Sequence, residues 1–180
     1  MKKSLVFLVL LCGCFASKAQ SLYPYTIFNI DGDTIHLKTD STRMLFIIAP
    51  VNPSDTLIGH IAAFKNKYGD QIKVIGVLSR EDGYNDEMKN TVKQIYDTTG
   101  IVLTEGVYTH KTSGEQQAPF MKLLTHKDMN WYFDQDVVGI GQKFFISRTG
   151  RLHAVLRPQT PLEAPAIKRI MEPTMVQNPE

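Results

Sequence analysis

The sequence predicts an α/β domain: a central mixed β-sheet with helices on both faces. Three observations carry that expectation. The runs MLFIIA (44–49) and IKVIGVL (72–78) are continuously apolar, as strands covered on both faces are. Between them Leu57, Ile61, Phe64 and Tyr68 recur at helical spacing, so strand, helix and strand form a βαβ unit with parallel strands. KFFIS (143–147) and LHAVL (152–156) flank the turn RTG, which makes an antiparallel hairpin and hence a mixed sheet.

The remaining elements follow in order. Tyr25–Ile30 and Thr34–Leu37 flank Asp31-Gly32-Asp33, which reads as an N-terminal β-hairpin. The first helix is opened by Ser54 or Asp55 as N-cap and stopped at Gly69. A second helix carries Met88, Val92, Ile95 and Tyr96 on one face, with Asn85 or Asp86 as cap and Gly100 as stop. IVLT (101–104) is a short strand. A polar loop leads to a short helix near Pro119–Leu124, and the stretch from Thr125 to Gln142 is largely polar. Pro161 is expected to open a final helix carrying Leu162, Ile167 and Ile170. Hairpin, β-α-β-α, short strand, then β-β-α is a thioredoxin-like arrangement. One domain over 20–172 is expected, followed by a frayed tail at 173–180.

The first 19 residues are set apart. Lys2 and Lys3 precede an apolar run from Leu5 to Phe15 and a small-residue exit at Ser17-Lys18-Ala19. That is the pattern of a secretory signal peptide, and its apolar core is too short for the ~20 residues of a spanning helix. Cleavage after Ala19 would export a chain starting at Gln20, to the periplasm or the medium. The alternative is a lipobox at Leu11-Cys12-Gly13-Cys14, with Cys14 lipidated and the protein anchored on a membrane by that route alone. Cleavage after Ala19 fits better, since Cys14 stands early for a lipobox. Removing Lys2, Lys3 and Lys18 from the 20 basic residues leaves 17 against 18 acidic, a net charge of −1. A near-neutral chain without a basic stripe excludes nucleic acid as the main partner.

Cysteine usage is the sharpest constraint. The two cysteines are Cys12 and Cys14. A chain starting at Gln20 therefore has no disulfide, no thiolate nucleophile and no cysteine-ligated metal. A lipidated Cys14 would survive as an inert thioether.

The second half carries a family likeness. APFMKLLT (118–125) and GQKFFISRTGRLHAVLRPQTP (141–161) resemble the closing half of the glutathione peroxidases, with their A-h-P-L-Y-x-x-L helix start and K-F-L-I-D-x-x-G-x-V hairpin. DGDTIHL, the strand at 44–49, FKNKYGDQIKVIGV and TGIVLTEGVYTHKTSG fall where that family places its equivalents. The likeness spans roughly residues 23 to 171, and exported redoxins of cytochrome maturation or copper delivery share much of it. What it implies is a thioredoxin-like fold and peroxide reduction in the response to oxidative stress.

The catalytic residues do not carry over. The family's peroxidatic cysteine or selenocysteine position falls at Asn52, Pro53 or Ser54. Attack on an O–O bond needs a soft, low-pKa nucleophile, and a serine hydroxyl stays protonated near neutral pH. The family's glutamine position falls near Glu81, and its Trp-Asn position near Gly139 and Ile140. Trp131, the single tryptophan, lies about eight residues upstream. No resolving cysteine is present.

Other constellations are weaker. Asp31 and Asp33 read as a turn before a cation site, and Asp128, Asp134 and Asp136 as a solvated loop. His36, His60, His110, His126 and His153 show no ligand spacing, so the sequence calls for no metal and no cofactor. Arg80, Glu81 and Asp82 follow a strand end, the edge where open α/β sheets bind ligands; with Asn52 and Ser54 they are the candidate ligand-binding edge. Trp131-Tyr132-Phe133 reads as a loop anchored in the core. The expectation is an exported pseudo-peroxidase with a binding or accessory role, its partner a small molecule or an envelope protein. The alternative is an active oxidoreductase using a non-thiol or metal-assisted site from Glu81, Asp82, His60 or the 128–136 loop, or acting with a cysteine-bearing partner.

Overall fold

The centre of the molecule is strand β1 (Arg43–Ile48), in a computed structural model that describes residues 21–38 and 42–172. The signal segment, Cys14 and the tail at 173–180 lie outside the described residues. β1 pairs in parallel with β2 (Ile72–Ser79), the crossover between them being helix α1 (Asp55–Tyr68). Helix α2 (Lys89–Tyr96) leads to β3 (Val102–Val107), parallel to β2. Two short helices, α3 (Pro119–Thr125) and α4 (Lys127–Asn130), precede the hairpin of β4 (Lys143–Ile146) and β5 (Leu152–Leu156). β4 runs antiparallel to β1, so the five-stranded sheet has the order β3-β2-β1-β4-β5 and is mixed. Helix α5 (Pro165–Met171) closes the described chain.

Alternation along β1 builds two cores, because successive side chains of a strand point to opposite faces. Leu45 and Ile47 pack with Ile61, Phe64 and Tyr68 of α1, Val92 and Tyr96 of α2, and Ile167 and Met171 of α5. Met44, Phe46 and Ile48 pack with Phe120, Met121, Leu123 and Leu124 of α3, and with Phe144 and Ile146. Helices therefore cover both faces. Each such side chain, taken fully out of water, contributes about 1.5–3 kcal/mol before the entropy of ordering is subtracted.

Three sequence expectations change. The N-terminal hairpin shrinks to one bridge, Phe28 to Thr34, with a turn organised by Asn29, whose side-chain oxygen accepts from the Asp31 and Asp33 N–H groups. The strand expected at 101–104 runs on to Val107, because Leu78 and Ser79 pair with Gly106 and Val107 and the 28–30 segment bridges it from the other side. The last helix starts at Pro165, not Pro161. Pro161 sits in a turn closed by Ala164 N–H to its carbonyl, and Leu162 is buried ahead of the helix.

Candidate functional site

The junction after β1 is the first place to look. The Ala49 N–H donates to Val77 O at 2.9 Å, which holds the chain on the sheet until the prolines turn it. Ser54 then caps α1: its backbone is extended and its hydroxyl accepts from the Leu57 N–H at 3.3 Å. Asp55 in the first turn adds favourable charge at the helix N-terminus. The Tyr96 hydroxyl donates to Pro50 O at 2.8 Å and ties α2 to the turn. Ser54 is exposed, but its oxygen faces a backbone amide and not a general base. Asn52 is exposed beside it.

The second candidate group is spoken for. Glu81 Oε1 accepts from the Thr109 and His110 N–H groups at 3.0 and 3.1 Å and from the Ser113 hydroxyl at 2.5 Å. Oε2 accepts from the Thr109 N–H at 3.0 Å and the Ser79 hydroxyl at 3.2 Å. Burial pushes this carboxyl up, but Ser113 and the two amides outweigh it and hold it below the usual range. Asp82 lies 3.1 Å from His110 Nε2, and Arg80 donates to both carboxylate oxygens of Asp86 and to Gly106 O. Arg80, Glu81 and Asp82 thus clasp the end of β2 to the segment after β3. The 128–136 loop joins the same network, since Asp136 accepts from the Lys111 N–H and Asp134 pairs with the Lys111 ammonium.

Residues missed by sequence reasoning organise the rest. Buried Asn130 accepts from the Tyr132 and Phe133 N–H groups and donates to Leu123 O and Phe133 O. It is therefore Asn130, with Phe133 packed on the core, that anchors the aromatic loop; Trp131 and Tyr132 are exposed. His60 sits 3.8 Å from Glu163, away from the Glu81 network's partners. Asp31 pairs with Lys89 and Lys93. Among the described residues no group of three His, Asp or Glu side chains is placed to hold a metal ion. No helix among them is long and apolar enough to cross a membrane.

The segment of Gly139 and Ile140 comes close to the β1–α1 junction in space. The Ile48 N–H donates to Gln142 O and the Gly141 N–H returns to Ile48 O, so Ile140 and Gly141 lie against the end of β1. Together with Ala49, Pro50 and α1 they enclose an apolar cavity of about 210 Å³. Its floor is Ile47 and Gly76, and Lys143 and His60 are among its polar lining residues. The one sequence signal near it is Gly76 inside an otherwise bulky strand, which marks a close approach of neighbouring groups to the backbone, here the side chains of Leu103, Ile101 and Ala49.

Solved structures share this arrangement. Trypanosoma cruzi GPX1 superposes with a TM-score of 0.63 at 13% identity, over 84% of this chain and 94% of that one. The fold is thioredoxin-like. Trgpx in its apo form gives 0.62 at 14% identity, over 85% of this redoxin-fold chain and 93% of its own. The Xanthomonas campestris bacterioferritin comigratory protein, described for alkyl peroxide reduction, gives 0.52 at 15% identity, over 83% and 91%. No protein-family model matches the chain, and no curated protein matches it in sequence.

Proposed function

We propose that this chain is an exported, thiol-free member of the redoxin fold, a pseudo-peroxidase that serves as a binding or accessory module. The observation that carries this reading is chemical. No cysteine follows Cys14, and in the stretch Asn52, Pro53 and Ser54, where the likeness puts the nucleophile, the one hydroxyl is that of Ser54, which caps α1. Peroxide reduction needs a sulfur or selenium atom that can be oxidised and then reduced again, and a hydroxyl cannot take that part. The glutamine position, near Glu81, supports the same reading, since Glu81 is committed to six hydrogen bonds within the fold.

The direct test is consumption of hydrogen peroxide and of an alkyl hydroperoxide by the purified protein, with glutathione or thioredoxin as reductant. The expected rate equals that of heat-denatured protein. Turnover above that background would overturn the reading. Export is checked separately by intact mass and N-terminal sequence of the protein recovered from the cell envelope. A start at Gln20 supports the cleaved form, and a diacylglyceryl mass on Cys14 the anchored one.

A further inference from the structure

The cavity beside the β1–α1 junction rests on one row of the sheet. Leu103, Gly76, Ile47, Lys143 and Leu156 stand side by side, one from each strand in spatial order, and the middle three line the cavity. Four of the five are apolar or lack a side chain, and the fifth is a lysine. A Cβ at Gly76 would come within 2.8 Å of Leu103 Cδ2, 3.2 Å of Ile101 Cδ1 and 3.3 Å of Ala49 Cβ, so the glycine is what lets these three side chains close over the strand at the edge of the cavity.

Lys143 is 5% exposed. Its ammonium donates to Gly141 O at 2.7 Å and Pro158 O at 3.2 Å, both from residues of the cavity wall. Among the described residues no carboxylate lies within ion-pairing distance of it. Its cross-strand neighbours, Ile47 and Leu156, offer no charge. The other titratable groups on the cavity wall do not compensate it: Tyr96 of α2 donates its hydroxyl to Pro50 O, and His60 of α1 lies beside Glu163. Burial alone holds the amine down, to about 8. Buried charges are ordinarily paired. This one has two carbonyls, a third N–H and an apolar space next to it.

We propose that this cavity binds a small apolar monocarboxylate, its carboxylate paired with Lys143 and its hydrocarbon part against Leu57, Ile61, Ile101 and Leu162. An apolar cavity of ~150 Å³ admits benzene, so 210 Å³ accommodates a ring or short alkyl chain with its head group. A single uncommitted N–H matches a monoanion; a phosphate, with three acceptor oxygens and more charge, needs more donors than this wall supplies. The inference goes beyond the pseudo-peroxidase reading and does not depend on it: peroxide turnover would overturn that reading and leave this one standing.

The test titrates hexanoate, 1-hexanol and hexylamine into the protein, followed by amide chemical shifts and by calorimetry at pH 6.5 and pH 9.5. Hexanoate is expected to bind about tenfold or more tightly than hexanol at pH 6.5, as a charge-assisted hydrogen bond adds to the same apolar contact. Shifts should centre on residues 47, 76 and 143. Its affinity should fall by about tenfold or more at pH 9.5, where the amine has lost its proton, while that of hexanol stays level. Lys143→Met should keep hexanol binding and lose the preference for hexanoate. Equal affinity for hexanoate and hexanol, an unchanged hexanoate affinity at pH 9.5, or no binding of either would overturn the proposal. The ligand and pH comparisons use the unaltered protein and decide the matter even if the variant fails to fold.

Discussion

Glu81 shows how one carboxylate can tie a strand end to a distant loop. A carboxylate is acceptor-only, so both oxygens can face the amides and hydroxyls of residues 79, 109, 110 and 113. Glu81→Gln keeps the shape but turns one of those oxygens into a donor aimed at other donors. It should cost about 1–2 kcal/mol at pH 7, read from urea unfolding. The pH dependence has a definite sign. The folded carboxyl lies below its unfolded value of about 4.3, so on acidification the unfolded chain binds the proton first. The stabilisation is complete above roughly pH 5 and is lost as pH falls through the folded pKa. The stability gap between the native protein and Glu81→Gln should therefore narrow below pH 4; a gap constant down to pH 2.5 would contradict the clasp. Little in SREDG itself announced this, because every donor but Ser79 comes from a segment about thirty residues on, brought close only once β2 and β3 pair.

Among the elements, those with a strong period were legible: β1, α1, β2 and the β4–β5 hairpin stand where apolar runs and helical spacing placed them. Those decided by single hydrogen bonds were not. Pro161 and Pro165 are equal in local sequence terms, and the choice fell to Pro165 because the Ala164 N–H closes a turn onto Pro161 O while Leu162 is drawn into the core. α4 hides in a polar stretch for a similar reason, being held by Asn130. The contact between α2 and the β1–α1 junction is testable at this scale. Burial pushes the Tyr96 phenol above its ordinary range, and its hydroxyl is the donor to Pro50 O. Tyr96→Phe should lower stability by about 1 kcal/mol. Amide exchange should quicken around residues 51–58 and stay unchanged in the β4–β5 hairpin. Equal acceleration in both places would mean that the hydroxyl does not fix the junction locally.

For the molecule as a whole, the mixed character of the sheet and its two-sided helix cover followed from element order alone, whereas the strand order and the cavity did not. Lys143 looks like an ordinary strand-edge lysine in KFFIS, and its burial exists only when five strands align in one row. That burial should be visible in global stability. The folded amine titrates at about 8 and the unfolded one near 10.4, so between these values the unfolded chain holds more protons. Stability should rise from about pH 8 to pH 10, since it increases with pH wherever the unfolded state binds more protons. Lys143→Met should remove that rise, by thermal or urea unfolding at matched ionic strength. A rise of the same size in the variant would assign it to other groups.

The short bridge left of the expected N-terminal hairpin has a consequence for solubility. β3 ends the sheet on one side, and a bare strand edge is a template for pairing with another chain. Here the Ile30 N–H donates to Leu103 O and the Glu105 N–H to Phe28 O, so the protein's own turn segment occupies the middle of that edge. The Asn29 turn, which on sequence looked like the tip of a hairpin, thus serves as a guard against edge-to-edge aggregation.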